Sequence, residues 1–141
     1  MGSPHLRIID TSTLVAAERR RRSVAEILSQ VHSSFGEITA ALSVVTLVEL
    51  AHGVERAKLP DQRTQRQVFL DDLTANIKIY PVTADIARLA GRISGLQANR
   101  GIVLPFEDPL IGATALHHGG EVVTTNVRHF EMIPGLVVRK L

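Results

Sequence analysis

Short apolar runs alternate along this chain with longer stretches in which apolar residues return every three or four positions. Leu6-Arg7-Ile8-Ile9 stops abruptly at Asp10 and predicts a first strand. A polar turn, Thr11-Ser12-Thr13, leads into a helix through Glu18; Arg19 to Arg22 interrupt it, and a second helix is expected over Val24 to Val31. Ala40 to Val45 is apolar and tolerant of β structure, a second strand, with a helix from about Leu47 to Ala57 after it. Pro60-Asp61 then breaks the chain.

Gln62 to Ala75 sets Val68, Leu70, Leu73 and Ala75 among charged residues, the pattern of an amphipathic helix. Ile77 to Val82 alternates like a strand. Thr83 opens another helix, with Ile86, Leu89, Ala90 and Ile93 on one face and Asn99-Arg100-Gly101 as its end. Pro109 to His117 is apolar nearly all round and should be buried. Glu121 to Thr124 and Leu136 to Val138 supply the last two strands. Strands alternating with helices across short connections predict an α/β fold, a three-layer α/β/α sandwich around a central, mainly parallel sheet. Residues 1–141 form a single domain on this reading, with no repeat and no low-complexity segment.

Composition narrows the chemistry. There is no cysteine, which excludes disulfides and thiolate metal sites. No apolar run approaches the roughly 20 residues that span a bilayer. Met1 to Leu6 lacks the apolar stretch of a signal peptide, and a cytoplasmic protein is expected. A net charge of +2 permits a nucleic-acid partner without demanding one. The four consecutive arginines are the one charge run, fit equally for RNA phosphates, for solvent or for a helix end that faces a protein partner.

In open parallel sheets, sites form beyond the carboxyl ends of the strands, near a switch in strand order. Asp10 follows the first strand, Glu49 lies in the first turn of the helix after the second, Asp108 opens the buried helix, and Asn126 follows the strand Glu121 to Thr124. Each has an ordinary alternative. Thr46-Leu47-Val48-Glu49 fits a capping box. Asp108-Pro109 looks like an N-cap and N1 pair. Asp10 turns or caps the chain equally well, and Asn126 suits an Asx turn. The coincidence of three acids is harder to explain by capping, for which a hydroxyl serves without bringing like charges together. Three converging carboxylates raise one another's pKa unless a cation neutralises them, and all-oxygen ligation suits Mg²⁺ or Mn²⁺. Such an ion activates water and steadies charge on a phosphodiester in the transition state.

At these residues the sequence closely resembles the PIN-domain family, particularly VapC-type toxins of bacterial type II toxin–antitoxin systems. Ile8-Ile9-Asp10-Thr11-Ser12-Thr13-Leu14 matches the family's opening strand and first catalytic Asp. Ser43 to Leu50, with His52-Gly53, matches the segment bearing its Glu. Pro105 to Leu116 resembles the third acidic motif, and Thr124-Thr125-Asn126-Val127-Arg128-His129-Phe130 the last. The resemblance implies Mg²⁺-dependent endoribonuclease activity with 5′-phosphate and 3′-hydroxyl products. It also implies inhibition by a cognate VapB-type antitoxin, and a homodimer. Asp10, Glu49 and Asp108 are then the catalytic and metal-binding residues. Thr11, Ser12, Thr124 and Asn126 are expected to orient carboxylates or waters.

Many PIN domains carry a fourth acid where this chain has Asn126, so one firmly held Mg²⁺ is expected rather than two. Arg128 and His129 are placed to meet RNA phosphate, while Glu107 is expected to point away from the site. Leu14 to Ala17 and Val48 to Val54 are candidates for an antitoxin groove, and the apolar face of the Asp85 to Gln97 helix for a dimer interface. Two enzyme alternatives fail within the sequence. Asp10-Thr11-Ser12 lacks the second Asp of haloacid-dehalogenase-like phosphatases, and Glu49-x-x-His52 has no second copy to build a di-iron site. The rival from another class is a catalytically weak or inactive PIN-like module that binds RNA or a protein partner.

Overall fold

The computed structural model describes residues 5–36 and 38–141. Among them, strands β1 (His5–Ile9), β2 (Ile38–Ser43), β3 (Lys78–Tyr80), β4 (Glu121–Thr124) and β5 (Val138–Lys140) form one sheet in the order β3-β2-β1-β4-β5. All four strand pairs are parallel. The chain steps outward from β1 through β2 to β3, then returns to the other side of β1 for β4 and β5. Right-handed crossovers made in opposite directions place their helices on opposite faces. Accordingly α1 (Thr11–Arg19), α2 (Val24–Phe35), α3 (Val44–Arg56) and α4 (Pro60–Asn76) cover one face. Helices α5 (Ala84–Asn99), α6 (Glu107–His117) and α7 (Arg128–Glu131) cover the other. This is the three-layer sandwich expected from the pattern.

The pleat sorts the core. Ile8, Ala41 and Val122 stand side by side in register and enter the layer with Ile86, Ile93 and Ile111. Their chain neighbours Ile9, Leu42 and Val123 point to the opposite layer, with Leu14, Ile27, Leu73 and Phe69. A one-residue slip of β1 would exchange these faces, so two-sided burial fixes its register. No helix among the described residues is long and apolar enough to cross a membrane.

Several boundaries differ from expectation for identifiable reasons. β2 ends at Ser43 rather than Val45, because the Ser43 hydroxyl accepts from Val45 N–H at 3.2 Å and starts α3 three residues early. Glu49 therefore lies in the second turn of α3, and the capping-box reading of Thr46 to Glu49 is wrong. Pro60 does not break a helix but begins one, in the first-turn position that needs no N–H. Helix α6 starts at Glu107, so Asp108 is inside its first turn and makes no cap. β5 is shifted to Val138–Lys140, and α2 runs on to Phe35. The apolar face of α5, offered above as a dimer surface, is spent at home: Ile86, Ala90 and Ile93 are buried in the second core.

Candidate active site

The sheet's switch in direction lies between β1 and β4, and the candidate residues gather beyond the carboxyl ends of these strands. Asp10 sits one residue past β1, its backbone N–H bonded to Val123 O at 3.0 Å. It occupies the N-cap position of α1, yet its side chain caps nothing. Instead Oδ2 accepts from the Thr124 hydroxyl at 2.9 Å and from the Ser12 hydroxyl. Thr124 in turn accepts from Asn126 N–H at 2.9 Å, and Thr13 Oγ1 accepts from Thr125 N–H at 3.0 Å. The start of α1 and the end of β4 are thus laced together around Asp10.

Glu49 is fixed from α1. Thr11 Oγ1 donates to Glu49 Oε1 at 2.8 Å and stands 2.9 Å from Thr46 Oγ1. An ionised carboxylate can only accept, so Thr11 donates to Glu49 and Thr46 donates to Thr11. Asp108, on α6, is 4% exposed. Its Oδ2 is buried without a hydrogen-bond partner, although His129 Nδ1 approaches to 3.2 Å. The two facts agree if the imidazole offers charge proximity without hydrogen-bond alignment.

These groups line one open cleft of about 360 Å³, with Asp10, Thr11, Ser12, Glu49, Glu107, Asp108 and His129 in its wall and Arg19 at its edge. The cleft is strongly acidic, and its electrostatics register that. Burial pushes the Asp108 carboxyl up to about 7; His129 opposes the rise, while Asp10, Glu107 and Glu49 add to it. Glu49 is also raised, first by burial and then by Glu107 and Asp10, against the pull of the Thr11 hydrogen bond.

Asp10, Glu49, Asp108, Thr11, Ser12 and His129 therefore share the cleft. Thr124 supports it from behind. Asn126 contributes its backbone N–H to Thr124 and is absent from the cleft wall, as is the exposed Arg128. Glu107 was expected to point away and instead faces the acids. Helix α6 begins two residues earlier than an N-cap at Asp108 would allow, which makes Glu107 its first residue, beside Asp108 on the cleft wall. Arg19 belongs to the arginine run already set against RNA phosphates, and it alone of the four lines the cleft; the support from Thr46 was not foreseen, since it depends on a contact between α1 and α3.

The donor set suits a hard divalent cation: carboxylate oxygens predominate, one of them buried and unbonded, in a cleft with an excess of negative charge. Among the described residues no three acidic or histidine side chains stand close enough to hold an ion unaided. A cation would have to draw them together.

Beside the cleft lies an apolar trough of about 140 Å³ between α1, α3 and α4, lined by Val15, Leu50, Gly53 and Phe69 and sharing Arg19 and Glu49 with the cleft. Glu18 and Arg66 stand at its edge, 3.8 Å apart. Val15, Glu49, Leu50 and Gly53 come from the two segments singled out as a groove; Glu18 and Arg19 lie just past the first, and Arg66 and Phe69 make α4 an unforeseen third wall.

A family model for the PIN domain matches residues 7–136. The chain belongs to the PIN-domain family, in its VapC branch. It is 32% identical to "Ribonuclease VapC1" of Rickettsia felis over 131 residues, 93% of this chain and 92% of that protein. It is 31% identical to "Ribonuclease VapC19" of Mycobacterium tuberculosis over 93% of this chain and 97% of that one. Among solved structures, the fold is similar to VapBC2 from Rickettsia felis bound to a promoter DNA fragment. There the TM-score is 0.81 at 23% identity, covering 96% of this chain and 98% of the other. VapBC-5 from Mycobacterium tuberculosis, described as a member of a toxin–antitoxin family, gives 0.75 at 27% identity over 98% of both chains. The three-layer sandwich predicted from the alternation of strands and helices, and the PIN-like fold that the resemblance implied, are thus the observed ones.

Proposed function

We propose that this PIN-domain chain is the endoribonuclease toxin of a type II toxin–antitoxin pair, hydrolysing RNA phosphodiesters at the Asp10–Glu49–Asp108 cleft. The observation that carries the reading is Asp108: a buried carboxyl with an unbonded oxygen, raised to about 7 inside a ring of other acids. A fold gains nothing from that arrangement, which costs stability until something positive arrives. Asp10, Glu49 and Asp108 are the residues that would hold Mg²⁺, or Mn²⁺ in its place. A divalent cation bound there supplies charge neutralisation, a Lewis acid for the phosphoryl oxygens and a lowered pKa for water.

The protein's own groups do the rest. Ser12 and Thr124 fix the direction of Asp10 Oδ2, and the Thr46–Thr11 relay fixes Glu49. Such support decides whether ligands sit within reach of productive geometry. Arg19 and His129, on the cleft wall, meet the incoming phosphate. Asn126 adds no charge, which favours one cation over two. The partner reading rests on the relatives' own descriptions as toxin–antitoxin complexes. A VapB-type antitoxin lays an apolar segment along the Val15–Leu50–Gly53–Phe69 trough and reaches the acids with a basic side chain. The toxin acts as a homodimer.

The test is cleavage of a broad panel of RNAs by purified protein with Mg²⁺, with Asp10→Asn and Asp108→Asn as controls. Wild-type cutting that both substitutions abolish supports the reading; no cutting, or equal cutting by the variants, refutes it. A rival in which the domain binds RNA without cutting draws on the absence of a formed ion cage among the described residues. Calorimetric Mg²⁺ binding that depends on Asp10 excludes it. A gene for a small DNA-binding protein directly upstream would support the antitoxin; an isolated gene would argue against it.

A further inference from the structure

The chain has five ring residues of the Phe and Tyr type and no tryptophan. Four of the five rings are occupied. Phe69 and Phe130 fill the two cores, Phe35 packs on the first core beneath the Arg7 guanidinium, and Tyr80 stacks on His118 with centroids 3.8 Å apart. Phe106 is 83% exposed. It is the residue immediately before α6, followed by Glu107 and Asp108, both in the cleft wall. Two residues of chain span at most about 7 Å, so the ring is rooted at the rim of the acidic cleft.

Its backbone is set rather than loose. Phe106 already has helical angles (φ −53°, ψ −39°), Pro105 precedes it, and Asp108 N–H bonds Pro105 O at 3.1 Å. Val103, in the same loop, is 90% exposed. At this exposure the ring adds little to either core, and its faces are open to a ligand.

We propose that Phe106 is a stacking platform for an unpaired base of the RNA next to the scissile phosphate. This rests on the nuclease reading above. The local charge explains why a neutral ring is suited to the task. Four carboxylates repel a polyanion, with Arg19 and His129 the basic side chains lining the same cleft. Base stacking draws a strand in without depending on that field, and any base offers a π-face. The platform therefore selects single-stranded segments, loops or ends over duplex, with little preference for sequence. The apolar trough favours a separate occupant: none of its lining residues belongs to α6 or the loop before it.

The experiment compares Phe106→Ala, Phe106→Leu and Phe106→Tyr for cleavage of a single-stranded RNA. The Ala variant should raise KM by roughly 5- to 150-fold, the range that loss of one stacked base gives, while kcat changes little. Tyr should restore KM and Leu should not. The Ala effect should be the same at about 50 and 200 mM salt, whereas that of Arg19→Ala should shrink as salt rises. A second readout needs no activity. Phe106→Trp introduces the sole tryptophan, whose fluorescence, read in chelator, should be quenched by single-stranded RNA and not by the same sequence as duplex. Unchanged KM in Phe106→Ala, a Leu variant as good as Tyr, or Trp fluorescence that responds to dilution or antitoxin but not RNA overturns the proposal. If the wild type cuts no RNA while the Trp probe is still quenched by single strands, stacking stands and the nuclease reading falls.

Discussion

Replacing a buried acid usually weakens a protein, but here Asp108→Asn should strengthen it. In chelator, the Asp108 carboxyl is raised from 3.8 to about 7. In the range between those values the folded state binds the extra proton, so stability falls as pH rises. At about 1.4 kcal/mol per pH unit the ionised group opposes folding by at most about 4 kcal/mol above neutrality. Relaxation and water entry at an open cleft take a share of this, leaving about 2 kcal/mol. The variant forfeits the contact with His129, whose side chain is 48% exposed, and that contact contributes less than about 1 kcal/mol. Asparagine keeps the shape, removes the charge and abolishes the pH-dependent cost. Urea unfolding followed by circular dichroism, at fixed protein concentration in EDTA, should show the variant more stable by about 2 kcal/mol near pH 8. Near pH 4 the wild-type carboxyl is protonated when folded, and the two proteins should nearly coincide. Mg²⁺ should narrow the gap at about pH 8 by stabilising only the wild type. A variant weaker than wild type near pH 8, or a difference indifferent to pH, would refute the reasoning.

Other outcomes follow from the same geometry. Mg²⁺ affinity measured by calorimetry should fall by up to about tenfold per pH unit below the Asp108 value of about 7, because protons compete for the ligand. Thr124→Val strips a hydroxyl from Asp10 and an acceptor from Asn126 N–H. It should cost about 1–2 kcal/mol in urea unfolding and about tenfold or more in cleavage. Gly120→Ala sets a Cβ 2.8 Å from the Leu6 carbonyl oxygen, a backbone atom that cannot swing aside. Gly112→Ala meets Ile133 Cδ1 at 2.6 Å, the movable end of a side chain. The first should therefore lower thermal stability more than the second, the second costing about 1–2 kcal/mol; the reverse order would count against this account of packing.

Much of the architecture is legible in the chain because burial on both faces of a parallel sheet leaves unmistakable runs such as Leu6 to Ile9, while helices such as α5 carry their own period. The acids are legible because strands end where they begin: Asp10 follows Ile9 without an intervening residue. What escapes the sequence depends on phase and contact. Val44-Val45 looks like strand, and only the Ser43 hydroxyl shows that a helix has started. The start of α6 at Glu107, two residues before an N-cap at Asp108 would set it, makes Glu107 helical and puts it on the cleft wall. The four-residue α7 is too short to show any period. The Thr46–Thr11–Glu49 relay joins residues 35 and 38 positions apart. Nothing local marks it.

The hydrogen bond from Thr124 to Asp10 spans 114 positions, and that gives the cleft a place in time. Residues 1–107 contain Asp10 and Glu49 but lack Asp108, and neither β4 nor Thr124 has been made. During synthesis the growing chain therefore carries two of its three acids with nothing to complete them. A protein able to cut RNA is born beside the message that encodes it. On the proposed function, the pieces of the site are split between the first strand and the β3–β4 crossover, so it gains that ability only once that crossover and β4 have been made.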